Sequence, residues 1–245
     1  MKSLRASLLG LALLAGSTVS ALSADLGDIR QDDESFAESS AARFYLRGDL
    51  GYDWNRLASV SEQGTDFSSA SMSNGWNYGI GIGWYLAPNW RFDLTAEHHN
   101  AGKVDGTIAS TNFNGEQSFD VSSQVVLANL YYDFTGRAGF NPYLGVGIGW
   151  AETNAHNGIT TDACGCVSTI DNATQDNFAW ALMAGVTREL DHGFSIDAGY
   201  RLLDVGGART GNIQNSIGQG MTSSVATTGN IYSNEVRIGL RYDIQ

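Results

Sequence analysis

The segment TAEHHN places Glu97, His98 and His99 side by side. A histidine with an acid beside it is the base half of a hydrolytic set, which could drive acyl cleavage of a lipid if a serine were brought to it. No nucleophile with an orienting partner is evident in the chain, and His98 falls on the face of its segment that carries apolar residues, so catalysis is not expected. The pair Cys164 and Cys166, in TDACGCVST, could form a local disulfide in an oxidising compartment, although its ring would be small and strained. As metal ligands the two thiols would have only His156 nearby, so a stapled loop tip is the preferred reading and no metal is expected. His156 could serve as an axial haem ligand, but a lone loop histidine is far more often solvated, and no cofactor is expected. The runs GIGIG and GVGIG lack the spacing and the following helix of a phosphate loop.

A larger set of charges recurs at alternate positions: Arg47, Asp49, Asp53, Arg91, Asp93, Glu97, Asp133, Asp197, Arg201, Glu235, Arg237, Arg241 and Asp243. Both signs are present and every cation in the set is arginine. Arginine suits a rigid, bidentate, buried network, whereas a face washed by water would be expected to carry lysine. The chemistry of this set is ion pairing.

The elements that carry these charges have a period of two. In WNYGIGIGWYL, Trp76, Tyr78, Ile80, Ile82, Trp84 and Leu86 alternate with Asn77, Gly79, Gly81, Gly83 and Tyr85, which is a strand with one apolar face. The pattern recurs in FYLRGDLGYDW (Phe44 to Trp54), WRFDLTAEHH (from Trp90), Val121 to Phe134, NPYLGVGIGWA (from Asn141), FAWALMAGVT (from Phe178), FSIDAGYRL (from Phe194) and YSNEVRIGLRYDI (from Tyr232). The segment Val121 to Phe134 is the least clean, because Val125 and Leu127 stand on its otherwise polar face. Eight such strands, each near the ~10 residues needed to cross a bilayer on a tilt, predict an all-β, eight-stranded antiparallel up-and-down transmembrane β-barrel over residues 43–245. Short connections are expected at Ala87 to Asn89, Thr135 to Gly139 and Asp191 to Gly193. Long loops are expected at Asn55 to Ser73, Asn100 to Ser118, Glu152 to Asp176 and Asp204 to Asn230, all on the other end.

Alternation does not say which face points outward, and a soluble lipid-binding barrel would turn the apolar face inside. Trp54, Trp76, Trp84, Trp90, Trp150 and Trp180 all fall on the apolar face at strand ends, which makes two aromatic girdles. The glycine positions on the other face would leave room in a narrow lumen for arginine and tyrosine side chains reaching over from opposite walls. These features favour the membrane reading.

The chain has 245 residues with a formal net charge of −12 and a pI near 4.5, which argues against nucleic acid as a partner. Lys2 and Arg5 before LLGLALLAG, with small residues following, read as a secretory signal over residues 1–24. The acidic, patternless stretch 25–42 reads as a flexible lead-in.

FYLRGDLGYDW, NPYLGVGIGWA, DAGYRLLD and EVRIGLRYDI resemble small outer-membrane β-barrel proteins. The likeness is greatest to the porin-like surface antigens of α-proteobacteria, in the OmpA-like transmembrane-barrel group, and covers about Arg43 to Gln245. It implies an abundant outer-membrane protein of the Gram-negative envelope that contacts lipid and lipopolysaccharide, supports envelope integrity and displays four extracellular loops. Some members are called porin-like or bind haem, so a narrow channel and a surface receptor for haem or a host factor stay open. Two departures are noted. No peptidoglycan-binding domain is expected after the last strand, and the end Tyr242-Asp243-Ile244-Gln245 lacks the usual terminal aromatic.

Overall fold

The computed structural model describes residues 44–62, 65–109, 114–163, 165–214 and 225–244. The expected signal segment, the lead-in and Cys164 lie outside them. Eight long strands form the barrel: β1 (Phe44–Leu57), β2 (Gly75–Ala87), β3 (Trp90–Ala109), β4 (Asn114–Asp133), β5 (Phe140–Asp162), β6 (Ala173–Glu189), β7 (Phe194–Asp204) and β8 (Ile231–Ile244). Each pairs antiparallel with its sequence neighbours, and β8 pairs with β1 to close the ring. The eight-stranded antiparallel barrel expected from the alternation is therefore the observed architecture. Closure removes the open edges that an eight-stranded sheet would otherwise present.

Between the two tryptophan levels the wall is apolar on the outside. Ile80, Ile148 and Ile238 are exposed there, with Leu50, Leu144, Val146 and Leu240 around them. Trp54, Trp76, Trp90 and Trp150 point outward and are exposed, and Trp84 and Trp180 are half-buried on the same face. The lower girdle is packed edge to face: Trp84 meets Phe44 at 5.8 Å and Trp90 meets Tyr132 at 5.0 Å between ring centroids. Aromatic rings at these levels suit the boundary between lipid tails and water.

Two of the expected long loops are corrected by the structure. Residues expected to form loops at Asn100 to Ser118 and Glu152 to Asp176 largely continue as strand, because β3, β4 and β5 run well past the upper girdle. Short strands line this extension. Ser69–Met72 pairs with β3, Val167–Ile170 pairs with β5, and Val60–Glu62 pairs with both Thr65–Asp66 and Ala226–Thr228. The physical reason is an alternation of opposite sense. Val104, Phe119, Val121, Val60, Phe67, Ala208, Ala226 and Ile231 are buried inside the extension, while Lys103, Asp105 and Glu116 face outward. A surface in water needs polar residues outside and an apolar core within, so the segments above the girdle form a small folded cap.

The reversal requires the strands to change which parity points inward. Inward residues on β3 are odd-numbered up to His99 and even-numbered from Gly102, and the register shifts between those two residues. On β5 the switch comes after Ala155, where Asn157 takes a left-handed φ of 54° opposite a register shift on β4. A β-bulge puts two residues opposite one, which flips every later side chain to the other face.

Candidate functional site

The lumen between the girdles holds the charged residues in three layers. In the layer nearest the cap, Arg201 on β7 forks onto Glu97 on β3, with Nη1 donating to Oε1 at 2.9 Å and Nη2 to Oε2 at 2.5 Å. Its Nε donates to Glu235 on β8 at 2.7 Å. Arg237 donates to the same Glu97 at 3.1 and 3.3 Å and lies 3.7 Å from Asp49. Both arginines are buried. Paired forks of this kind satisfy several donors at once, which a buried guanidinium requires.

In the middle layer, Arg47 on β1 donates from Nε and Nη2 to Asp49 at 2.8 and 2.7 Å, and from Nη1 to Asp93 at 2.6 Å. Asp93 also accepts from the Tyr45 hydroxyl at 3.0 Å and from Asn129 Nδ2 at 2.8 Å. In the layer nearest the short turns, Arg91 donates from Nε to Asp133 at 2.8 Å, and Arg241 lies 3.1 Å from Asp197. The Tyr85 hydroxyl donates to Asp243 at 2.9 Å. Both terminal nitrogens of Arg91 are buried without a hydrogen-bond partner, but its guanidinium sits 4.3 Å from the Tyr131 ring centroid and 5.0 Å from that of Tyr143. The aromatic faces take the place of acceptors there.

The ionic residues occupy mainly the β1, β3, β7 and β8 side of the lumen. The opposite inner wall is apolar: Val125 and Leu127 on β4, Ala151 on β5, and Ala179, Ala181 and Met183 on β6. This accounts for the uneven alternation of β4, whose inner face changes from apolar to polar along its length.

The inner glycines make room, though not for the opposite wall. Most accommodate a paired residue on an adjacent strand, although at Gly199 the space is taken by Tyr143 from two strands away. Gly83 lies opposite Tyr45, Gly145 opposite Tyr131 and Gly185 opposite Tyr143. A Cβ at Gly145 would stand 2.5 Å from Tyr131 Cδ1, and one at Gly185 would stand 2.6 Å from Tyr143 Cζ. Large side chains in a narrow lumen lie along the wall, and the pleat brings directly paired positions closest.

The segment TAEHHN is split by the wall. Glu97 and His99 point inward, while His98 is half-buried on the outer face, its ring 5.5 Å from that of Tyr78. His99 is a member of the interior network that the list of alternating charges omitted. Its Nδ1 lies 3.0 Å from Asp53 Oδ2 and its Nε2 lies 3.6 Å from Glu97 Oε2. The signal was available, because His99 shares the inward parity of Glu97. His156 is placed on a strand and not in a loop, with Nδ1 donating to the Asn154 carbonyl at 3.3 Å. The bond expected between Cys164 and Cys166 falls partly outside the described residues, and Cys166 is not a free thiol.

A family model described as "outer membrane protein beta-barrel domain" matches residues 9–243. An uncharacterized protein of Brucella suis is 29% identical, covering 86% of this chain and 88% of its own. A Rickettsia rickettsii protein provisionally named an adhesin is 30% identical, covering 86% of this chain and 92% of its own. Among solved structures, the outer membrane protein OprG from Pseudomonas aeruginosa superposes with a TM-score of 0.55 at 14% identity, covering 82% of this chain and 96% of that one.

Proposed function

Because this chain belongs to the outer membrane β-barrel family, and so sits in the lipid of the Gram-negative outer membrane, we propose that it is a non-conducting display barrel whose folded cap makes adhesive contacts at the cell surface. One observation carries the reading. The lumen is filled by the arginine–carboxylate layers, while the strands that leave the membrane carry the apolar inner wall on into a core of Val60, Val104, Phe119 and Ile231 beneath a mostly polar exterior. A closed lumen has no use as a wide pore, and a cap with an apolar core presents its surface in a fixed shape. The provisional adhesin name of the Rickettsia rickettsii relative points the same way. The cap's exposed charge is more acidic than basic, with Asp66, Asp105, Glu116 and Asp171 against Arg56, Lys103 and Arg209, and although Lys103 pairs with Asp105 at 2.8 Å the excess of acid favours a basic partner surface. The reading assigns no catalysis, since Glu97 and His98 lie on opposite faces of the wall.

Two measurements test it. Cells displaying the chain are expected to adhere to a basic protein surface, with adhesion falling as salt rises. Cells displaying a chain in which residues 103–118 are replaced by a tight turn are expected to lose that adhesion while keeping a heat-modifiable barrel. Equal adhesion by the two would overturn the adhesive role. Purified protein in a planar bilayer is expected to show no steady conductance, and stable steps that vanish on Arg201→Ala would favour the channel reading instead.

A further inference from the structure

Asp53 on β1, His99 on β3 and Glu235 on β8 converge under the cap, each offering a ligand atom within 4.8 Å of the others. Asp53 and Glu235 are direct partners in the β1–β8 register. On the other side of β1, Asp53 faces Gly75 and accepts a hydrogen bond from the Asn77 amide of β2, the register partner of His99 on β3. All three residues are buried. Two of their atoms have no hydrogen-bond partner: Glu235 Oε1 and His99 Nε2, with the hydroxyl of Ser233, also on β8, likewise unpaired. Polar atoms without a hydrogen bond in a buried site are costly unless something binds them, and the nearest acid oxygen to His99 Nε2, Glu97 Oε2, stands at 3.6 Å, beyond hydrogen-bond reach.

The charge balance points in the same direction. The connected carboxylates Asp49, Asp53, Asp93, Glu97 and Glu235 face three guanidiniums, those of Arg47, Arg201 and Arg237, and the imidazole of His99, which alone pairs with Asp53. With His99 neutral, as a metal ligand must be, five negative groups against three positive ones leave a deficit of two that one dication would fill; with His99 protonated the deficit is one. We propose that Asp53, His99 and Glu235 form a binding site for a divalent transition cation that joins β1, β3 and β8 at the mouth of the barrel. One imidazole and two carboxylates form a borderline donor set, which suits Zn²⁺ better than the all-oxygen cations Mg²⁺ and Ca²⁺ or the thiolate-seeking Cu⁺. The site was not expected from the sequence, because its ligands are far apart in the chain and its histidine adjoins another that faces outward. The competing arrangement is a protonated His99 held between Asp53 and Glu97 as an ion pair alone.

The test is metal retention by the full chain folded in detergent micelles, without reductant. After incubation with ZnCl₂ and gel filtration, the wild-type protein is expected to keep one zinc per chain by elemental analysis. His99→Ala and Glu235→Gln, each checked for heat modifiability, are expected to weaken retention at least tenfold. A wild-type protein that keeps no zinc overturns the proposal, as does undiminished retention by His99→Ala. Cobalt loading of the wild-type chain decides the matter independently of variant folding. Visible d–d bands without a thiolate-to-cobalt charge-transfer band support the site, and a thiolate band or the spectrum of free aqueous cobalt overturns it.

Discussion

Val104 and Ile238 are both β-branched residues in long strands of one barrel, yet they live in opposite environments. Val104 is fully buried inside the cap, and Ile238 is 63% exposed on the wall between the girdles. The side chains that accompany them are reversed as well. Lys103 and Asp105 flank Val104 on the outer face, whereas Arg237 and Glu235 lie on the inner face beside Ile238. The two regions obey one rule under two solvents. In the bilayer zone the apolar face must meet lipid and the polar face must satisfy itself within; in the cap the apolar face must hide from water. Since the same strands serve both zones, the bulges after His99 and near Asn157 are what allow β3 and β5 to pass from one zone to the other.

The sharpest contrast is in the cost of removing an interior side chain. Arg201→Met leaves Glu97 and Glu235 buried with one shared cation gone, which is expected to cost about 3–5 kcal/mol in reversible denaturant unfolding from micelles. A loss below 1 kcal/mol would mean that water reaches this layer freely, and the closed-lumen reading would fail with it. The conservative Arg201→Lys keeps the charge but not the fork, and an intermediate loss is expected.

Much of this architecture is legible in the sequence because lipid and water enforce alternation so strictly. The eight strands, the outward tryptophans and the odd-numbered charges of β1, β3, β7 and β8 follow from parity alone. Three features do not. Much of the cap's core reads as loop because its apolar positions, such as Val60, Phe67 and Val104, are sparse and set among glycine, serine and asparagine. The parity switches leave no mark, since a bulge is one extra residue whose effect depends on the partner strand. The occupants of the glycine spaces depend on register, which decides whether Tyr131 meets Gly145 or another residue. His99 is the exception, legible by parity but obscured by His98.

A charge placed on the outer wall tests the boundary between the zones from the other side. Ile238→Arg sets a cation among lipid tails and is expected to cost about 2–4 kcal/mol near the bilayer midplane. Moving the same substitution along β8 toward Tyr232, near the upper girdle, is expected to shrink the loss, with the gradient read by unfolding of the series in vesicles. A flat profile would show that this face does not lie in the hydrocarbon.

The smallest effects belong to the cap, and they are informative as a matched pair. Val104→Ala removes two methyl groups from a sealed core, so at ~0.8 kcal/mol each, with a cavity added, the expected loss is about 1.5–2 kcal/mol. Its readout is faster proteolysis of the cap, with the barrel's unboiled gel mobility unchanged, because the core it disturbs lies above the girdle. Glu116→Leu changes an outward, water-facing residue of β4 and is expected to stay within about 0.5 kcal/mol. An apolar residue is thus tolerated outside the cap at little cost, where a charge on the corresponding face of the bilayer zone is not. If Glu116→Leu instead stabilised the chain in vesicles as strongly as Ile238→Arg destabilised it, β4 would be lipid-facing at that height. The hydrocarbon boundary would then have to be drawn above the upper tryptophans.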